Sequence, residues 1–538
     1  MNLVYLISLF LSSSFLLLQC NSDASLVGNN TGLINTIENN PHLKEGSIDA
    51  DIVVYGATSS GVMAAIQASR MNKKVVLILT PNETIGGMST NGLSNTDIGN
   101  VTAIGGLASE FYSNIGSHYN LPTKFTFEPK IAMEVFLQMM KREDIILVKA
   151  NNFNTIKSVK IENGYIQNIV TNDGKIIYGK IFIDASYEGD LMAVSNVDYI
   201  VGRESNSMYS EKLNGVTPPI LSWVVSVFKI KNDEKSGVLP NISTISSFNK
   251  IGLGDNKIQP YNFRLCMTTK KDNQIMIEKP AEYNIYDYEL LVRYANLNPK
   301  NNFLSVVPLP NNKFDVNNEG FISTDLPGIN FDYPKGDDEM RLKIKNKIKN
   351  YMLGFIWTLQ NDVRIPLEVR NKYSNLGLAK DEFVDNNNWP FEVYVRESRR
   401  LIGEYVMTEH DIYSKTKIND SIGMGSYNID SHPVQYEISS RNLLAIEGGL
   451  FYPISKPYPI SYKCILPKRE QCRNLLVSVC VSASHVALSS MRMEPVYMIL
   501  GQSAAIAASL SIESNVAIHD LRYDILKVSL LTAGQKLY

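Results

Sequence analysis

The first clear pattern of apolar and polar positions begins at residue 51. Residues 52–55 and 74–79 are short apolar runs rich in β-branched side chains, as expected for inner strands of a parallel sheet. Residues 62–70 between them are mostly small and apolar, which predicts a helix, and Asn72 suits the left-handed turn that ends a helix. The segment therefore predicts a strand, a glycine turn, a helix and a second strand at the start of an α/β domain.

Residues 156–183 carry a different pattern, in which three strand-like runs are separated by turn residues. Asn163-Gly164 and Asp173-Gly174 stand between the runs, and both dipeptides are typical of tight hairpins. The pattern predicts a three-stranded antiparallel meander whose last strand runs into Asp184.

The middle of the chain, residues 201–454, lacks the regular alternation of strand and helix and is rich in Asn, Pro and aromatic residues. We expect a mixed α+β substrate domain here. Residues 337–339 are acidic and suit the start of a helix, where the helix dipole favours negative charge. Residues 351–359 also look helical. The basic residues of 341–349 alternate with apolar ones, which predicts a solvated helix face.

A further helix is predicted from Pro390, because proline is well tolerated at the first position of a helix. Two interpretations of its charged residues remain open, a salt-bridged helix face and the wall of a substrate cleft. These residues are Arg396, Arg399, Arg400 and Glu404.

Strand-like composition returns over residues 458–467 and 475–481, before a last helix that begins near Met493. That helix has small residues at Gly501 and at 503–505, so another element can pack closely against it.

The turn between the first strand and the first helix resembles a dinucleotide-binding fingerprint. Gly56 allows the tight turn, Gly61 lets the helix approach the strand, and free N–H groups at the helix start can face a pyrophosphate. Two features depart from the pattern. Thr58 stands where the middle glycine is expected, and Thr80 or Leu79 stands where an acid would bind the ribose. The predicted contacts of this unit are Gly56, Ala57, Thr58, Ser60, Gly61 and Thr80.

A second glycine-rich segment follows the second strand. Gly86 and Gly87 are followed by Met88 and Ser89, and a double glycine can wrap backbone around a pyrophosphate or a flavin edge without side-chain clashes. We therefore add these four residues to the predicted cofactor contacts.

These blocks, in this order, resemble the bacterial FAD-dependent oxidoreductases that share their fold with glutathione-reductase-type flavoproteins. The similarity extends from about residue 50 to about residue 510. The similarity is carried by several short blocks. In chain order they are residues 86–89, 96–100, 104–106, 127–129, 184–191, 394–400, 403–405, 482–485, 492–495 and 501–505.

The resemblance implies an α/β fold with FAD as cofactor. The FAD-binding domain would be a doubly wound parallel sheet with an antiparallel crossover meander, built from residues 50–200 and 455–515. The mixed α+β substrate domain, residues 201–454, would interrupt it. The resemblance places Asp184, Ala185 and Ser186 beside the cofactor, and Glu494 and Pro495 at the helix start that points to the flavin.

Flavin chemistry needs a group that moves a proton, and histidine suits this task because its pKa lies near neutrality. His485 and His432 are the candidates. Arg492 is a candidate to balance a flavin anion or to bind a substrate carboxylate, and Arg399 is a candidate as part of the substrate cleft. A buried structural histidine and a salt-bridged arginine are the alternatives. The cysteines contain no C-x-x-C pair, so the spacing predicts buried thiols and no metal cage.

Residues 3–18 are almost wholly apolar or Ser, which suits a signal peptide and is short for a membrane span. Cleavage is expected near Ala24, or a lipid anchor at Cys20, with an uncleaved anchor as the alternative. Residues 25–49 are polar and predict a tether. We therefore expect an exported protein of the periplasm or cell envelope, which contacts the membrane only through that anchor.

The net charge of −2 and the absence of a dense basic tract argue against a nucleic-acid partner. The sequence therefore predicts an FAD-dependent dehydrogenase or oxidase acting on a small substrate, with carbohydrate-derived compounds as one candidate class. It does not identify the substrate or the electron acceptor. A carbohydrate lyase and a non-enzymatic envelope protein with a degenerate flavin fold are the alternatives.

Overall fold

The computed structural model describes residues 46–80, 83–149 and 156–538, with no description of the side chains of residues 222–224. The predicted leader, Cys20 and most of the predicted tether lie outside the described residues. Residues 47–49 do not belong to a tether, because they form the start of the first strand and pair with residues 176–178.

The first part of the chain forms the predicted α/β unit. The strands are β1 (Ser47–Tyr55), β2 (Val75–Leu79), β3 (Ile145–Lys149), β4 (Ile156–Glu162), β5 (Tyr165–Thr171) and β6 (Ile176–Asp184). The helices are α1 (Ser59–Arg70), α2 (Gly106–His118), α3 (Pro129–Met140) and α4 (Asp190–Val194). Asn72 has φ of 57°, so the predicted left-handed end of α1 is confirmed.

Parallel pairing joins β3, β2, β1 and β6 in that order, while β4 and β5 continue the sheet as an antiparallel meander. The predicted turns at Gly164 and Gly174 both have positive φ, as tight hairpins require. Both the parallel sheet and the crossover meander are therefore confirmed.

The middle of the chain forms several small sheets and is mixed α+β, as predicted. The strands are β7 (Tyr199–Ile200), β8 (Ile220–Ser226), β9 (Phe228–Ile230), β10 (Asp233–Val238), β11 (Ile242–Ser243), β12 (Leu265–Thr268), β13 (Gln274–Ile275), β14 (Leu304–Leu309), β15 (Lys313–Asn318), β16 (Gly377–Ala379), β17 (Arg400–Leu401), β18 (Ser421–Gly425), β19 (Ile429–Ser431), β20 (Gln435–Ile438), β21 (Leu443–Glu447), β22 (Leu450–Tyr452) and β23 (Tyr458–Ser461). The helices are α5 (Glu289–Leu297), α6 (Asp338–Asn361), α7 (Leu367–Tyr373) and α8 (Glu409–Ile412).

Helix α6 covers both predicted helical segments, and Asp337 caps it by accepting a hydrogen bond from the Met340 N–H at 2.9 Å. The prediction that its basic residues form a solvated face is wrong for Arg341. This side chain is buried and binds Asp190 at 2.7 Å, because a carboxylate of another element compensates its charge.

The predicted helix from Pro390 is wrong. Residues 390–399 form neither helix nor strand, and the Tyr394 N–H donates to the Asn262 carbonyl at 2.7 Å. Arg396, Arg399 and Arg400 bind three different sets of partners. An extended segment can reach all three sets, whereas one face of a helix cannot. Tertiary contacts therefore override the local helix signal at Pro390.

The chain then returns to the first sheet through β24 (Leu475–Val477), which pairs in parallel with residues 182–184 of β6. Helices α9 (His485–Met491), α10 (Glu494–Ser514) and α11 (Tyr523–Thr532) follow. The predicted helix near Met493 is confirmed as α10, but the prediction that it is the last helix is wrong, because α11 follows it. Among the described residues, α10 is the one helix long and apolar enough to cross a membrane, but 94% of that stretch is buried, so it packs as a core helix.

Candidate functional site

The turn between β1 and α1 leaves no room for side chains at its two glycines. Gly56 has φ of 94°, and a Cβ on it would lie 2.8 Å from the Ser186 backbone nitrogen. A Cβ on Gly61 would lie 1.9 Å from the Gly56 carbonyl oxygen. Glycine is therefore required at both positions, as the fingerprint predicts.

The contacts of Thr58 explain why threonine stands in place of the middle glycine of the fingerprint. Thr58 Oγ1 donates to the Ala185 carbonyl at 2.7 Å and accepts from the Gly61 N–H at 3.3 Å, which makes Thr58 the N-cap of α1. Threonine in place of glycine thus joins the turn to the end of β6. The adjacent Ala57 is fully buried and accepts a hydrogen bond from the Gly86 N–H at 2.8 Å.

The double-glycine segment lies directly on this turn. Gly86 and Gly87 have φ of 91° and 56°, and a Cβ on Gly87 would approach Thr58 Cα to 3.1 Å and the Tyr187 hydroxyl to 2.4 Å. The Met88 N–H donates to that same hydroxyl at 2.9 Å. The structure therefore brings the two predicted glycine elements together.

Three hydroxyl groups converge on the Glu494 carboxylate at the start of α10. Ser59 of α1 donates at 2.5 Å, Tyr187 at 2.7 Å and Ser89 at 3.5 Å. Burial raises the pKa of Glu494 to about 7, although these hydrogen bonds act to lower it. Hydroxyl donors beside a helix N-terminus form a donor set that suits phosphate as well as carboxylate.

Ser60 differs from its neighbours. Its hydroxyl donates to the Ser478 hydroxyl at 2.8 Å, and its carbonyl packs against Gly501 of α10. The Ser60 side chain therefore takes part in helix packing, and the cofactor contact of Ser60 stays a prediction. Pro495, the second residue of α10, lines a narrow cavity with Asp97 and Tyr427.

The end of β6 holds the three predicted residues 184–186 in different roles. Asp184 is fully buried, and its two carboxylate oxygens accept from the Ser186 N–H at 3.0 Å and the Met192 N–H at 2.8 Å. Burial raises the pKa of Asp184 to about 6, although these hydrogen bonds act to lower it. Asp184 therefore caps the strand end. Ser186 instead lines a cavity at the carboxyl ends of β1 and β2 together with Thr80 and Gly87.

A third cavity, of about 350 Å³, is lined by residues that lie far apart in the chain, and we call it the His432 cavity. Its wall is rich in charged, amide and phenol groups. It is lined by Asp97, Arg264, Asn317, Asn318, Glu319, Gly320, Tyr394, Arg396, Tyr427, Asp430, His432, Phe451 and Arg492.

His432 is held in this wall by two carboxylates. Its Nδ1 lies 2.7 Å from Asp325 Oδ2, and its Nε2 lies 3.7 Å from Asp430 Oδ2. Burial acts to raise the pKa of Asp325, but Arg396 and His432 outweigh it and hold that pKa below its ordinary value. Asp325 is therefore an ionised partner that can fix the proton of His432 on Nδ1.

Three arginines line the same cavity. Arg492 donates to the Tyr394 hydroxyl at 2.7 Å and to the Asp430 carbonyl at 2.8 Å. Arg396 lies 3.1 Å from Asp325, and Arg264 binds both carboxylate oxygens of Asp315 at 2.9 Å. Each arginine is thus fixed by protein partners before any substrate enters.

The structure places His485 and Arg399 away from the His432 cavity. His485 is 1% exposed, with Nδ1 at 2.9 Å from both Glu397 carboxylate oxygens and Nε2 at 3.1 Å from the Ser431 hydroxyl. Arg399 binds Asp190 at 2.6 Å and borders the cavity of Ser186. Neither side chain lies in the wall around His432, because His485 is committed to the buried Glu397 and Arg399 to the half-buried Asp190.

Sequence reasoning missed Asp97, Asp325 and Asp430 as residues of the site. They come from three distant segments of the chain. Asp97 lies in the block 96–100 of the family resemblance, which gave it no role, while Asp325 and Asp430 belong to no motif, so no local signal marks them.

One acidic cluster, of Glu128, Asp381 and Glu382, has the spacing of a metal site. Its cation is Lys313, whose Nζ lies 2.8 Å from Glu128 and 2.5 Å from Glu382. The four remaining cysteines, Cys266, Cys464, Cys472 and Cys480, are buried free thiols, as predicted.

The parallel sheet, the glycine turn and the double-glycine segment define a dinucleotide-binding protein. The sequence model of the family described as FAD dependent oxidoreductase matches residues 51–530, and the chain belongs to this family. FAD is accordingly its cofactor and the protein is an FAD-dependent oxidoreductase. The glycine turn at Gly56 and Gly61 and the double glycine beside it fit this group, because backbone without side chains can approach a pyrophosphate closely.

Three further similarities each cover less than a third of the chain. The tRNA uridine 5-carboxymethylaminomethyl modification enzyme MnmG of Buchnera aphidicola subsp. Cinara cedri is 29% identical over 145 residues, which cover 25% of this chain and 23% of that protein. L-proline dehydrogenase from P. horikoshii is 18% identical, with 29% and 58% of the two chains covered and a TM-score of 0.23. Thermovibrio ammonificans THI4 is 14% identical, with 32% and 70% covered and a TM-score of 0.23.

Proposed function

We propose that this protein is an exported dehydrogenase or oxidase that oxidises a small hydroxylated compound, such as a carbohydrate derivative, in the His432 cavity. The single observation that carries the proposal is the position of His432 in a polar cavity wall, with its Nδ1 at 2.7 Å from the buried carboxylate of Asp325. A histidine oriented in this way is suited to accept a proton through Nε2.

The composition of the cavity wall supports a hydroxylated substrate. Asp97 and Asp430 offer carboxylate oxygens that accept hydrogen bonds from hydroxyl groups, while Asn317, Asn318 and the arginines offer donors. Few apolar side chains are present, and Phe451 is the largest. Such an alternation of donors and acceptors matches a compound with several hydroxyl groups better than a hydrocarbon.

In the proposed reaction, the substrate loses a proton from its hydroxyl group and a hydride from the carbon that bears it. Bound FAD supplies the acceptor for the hydride and its two electrons. His432 Nε2 takes the proton, and Asp325 stabilises the resulting imidazolium. Arg492 lies beside Tyr394 and Asp430, where it can orient the substrate or balance negative charge on the flavin.

An anaerobic substrate screen tests this function. Sugars, sugar alcohols and sugar acids are mixed with the FAD-loaded protein, and bleaching of the flavin absorbance reports reduction. His432→Gln should slow flavin reduction by about 10²- to 10⁴-fold with unchanged FAD content. His118→Gln, at an exposed position, is the matched control and should react at the parent rate.

The screen also separates the alternatives. Absorbance of an unsaturated sugar product without flavin bleaching would identify a lyase instead. Equal reduction rates for His432→Gln and the parent protein would refute the proposed base.

Export is the second part of the proposal and is supported by residues 1–24 of the sequence. Mass spectrometry of the natively produced protein should show the loss of this segment or a diacylglyceryl group on Cys20. An intact Met1 on the purified protein contradicts processing.

A further inference from the structure

The strand β2 ends without the acid that dinucleotide-binding folds place there. In such folds, an acidic residue after the second strand accepts hydrogen bonds from the ribose hydroxyls of the adenosine half. Here β2 ends at Leu79, and Thr80 follows. Glu83 is the nearest acid in the sequence after that strand end.

In the structure, the Glu83 carboxylate lies beside the end of β2. Its Oε2 accepts from the Thr80 N–H at 2.9 Å and from the Thr80 hydroxyl at 3.0 Å. The Ala57 N–H also stabilises its charged form. Since Ala57 belongs to the turn between β1 and α1, the carboxylate lies between the strand end and the glycine turn, where a ribose would be bound.

Glu83 also borders the cavity that contains Ser186. Tyr55, Thr80 and Gly87 line the same cavity. Burial raises the pKa of Glu83 to about 8, although hydrogen bonds from the Thr80 and Ala57 N–H groups act to lower it. Holding a carboxylate in such surroundings costs free energy, and perturbed acids of this kind concentrate at binding sites.

We propose that Glu83 binds the ribose hydroxyls of the FAD adenosine half and replaces the acid missing from the end of β2. The proposal rests on FAD as cofactor and is independent of the role of His432. The competing explanation is purely structural, with Glu83 serving only to cap the turn at Thr80.

The test measures FAD affinity of the apoprotein by quenching of flavin fluorescence. Glu83→Ala should weaken FAD binding by about 10- to 100-fold, because the hydrogen bonds that Glu83 accepts from the ribose hydroxyls are lost. Glu83→Gln retains one acceptor of similar shape and should show a smaller loss. Thermal unfolding of each apoprotein shows whether the variants are folded.

FAD analogues that lack the 2′- or the 3′-hydroxyl of the adenosine ribose separate recognition from capping. If Glu83 binds these hydroxyls, at least one analogue should bind the parent and Glu83→Ala with nearly equal affinity. A structural cap would instead give the same loss for FAD and both analogues, which overturns the proposal. A folded Glu83→Ala protein with parental FAD affinity overturns it as well, whereas a parent that binds no FAD contradicts the cofactor itself.

Discussion

The Tyr187 hydroxyl donates a hydrogen bond to the Glu494 carboxylate, with 2.7 Å between Tyr187 Oη and Glu494 Oε1. The same hydroxyl accepts from the Met88 N–H at 2.9 Å. One phenol therefore connects the loop after β6, the double-glycine segment and the start of α10. These are the elements that the sequence assigns to the cofactor, and they meet at a buried acid.

Glu494 should make stability depend on pH. Its folded-state pKa of about 7 exceeds the ordinary value of 4.5, so the folded protein binds the proton more tightly than the unfolded chain. The stabilising effect is fully present below pH 4.5 and is lost as the pH rises through 7. Glutamine does not titrate, so Glu494→Gln does not lose stability in this way. The free energy of unfolding of the variant minus that of the parent should therefore rise by about 2–3 kcal/mol between pH 4.5 and 8.

Urea denaturation of the apoproteins at several pH values measures this difference. Glu513→Gln is the control, because Glu513 lies on the same helix but its side chain is 48% exposed. Parallel pH profiles for Glu494→Gln and the parent would contradict the raised pKa.

Gly61→Val should abolish FAD binding and lower the unfolding temperature. A Cβ at this position would lie 1.9 Å from the Gly56 carbonyl oxygen, so α1 must move away from β1. The released flavin and the thermal unfolding curve report the two effects. Gly174→Asn is the control, because a Cβ there meets no atom within 4 Å and Asn tolerates its positive φ. Normal FAD content in Gly61→Val would refute the tight turn.

Asp190→Asn should destabilise the protein by roughly 3 kcal/mol, because two buried arginines lose their shared carboxylate. Arg341 and Arg399 lie 2.7 and 2.6 Å from Asp190, and their side chains are 11% and 9% exposed. The denaturation midpoint measures this effect. Asp198→Asn removes an exposed pair with Lys468 and should change stability by less than about 0.5 kcal/mol. Equal midpoints for the two variants would show that the buried pairs contribute little.

His485→Gln should affect folding more than turnover, although the sequence makes His485 a candidate for proton transfer. The substitution leaves the Glu397 carboxylate, which is fully buried, without its imidazole partner, and a loss of roughly 2–3 kcal/mol is expected. The folded fraction should still reduce its flavin at nearly the parent rate. A stable His485→Gln protein with slow flavin reduction would restore His485 as the catalytic candidate.

The sequence predicted the elements whose signals are local. The glycine turn at Gly56 and the meander turns at Gly164 and Gly174 follow from backbone conformations that few other residues adopt, and Gly61 follows from the close approach of α1 to that turn. Helix α10 follows from a long apolar run with a proline at its start. The helix predicted from Pro390 also had a local signal, and this prediction failed. The arginines that follow Pro390 bind partners that are distant in the sequence, and these contacts decide the conformation of the segment.

The sequence by itself determined the dinucleotide-binding unit, the family resemblance and the cofactor, because these depend on short motifs in a fixed order. Only the tertiary structure decided which charged residues share a cavity. It placed Asp325 at 2.7 Å from His432, 107 residues apart in the chain, and buried His485 against Glu397. Buried charges must find partners, and those partners are chosen by packing across the whole fold, which no local pattern of residues encodes.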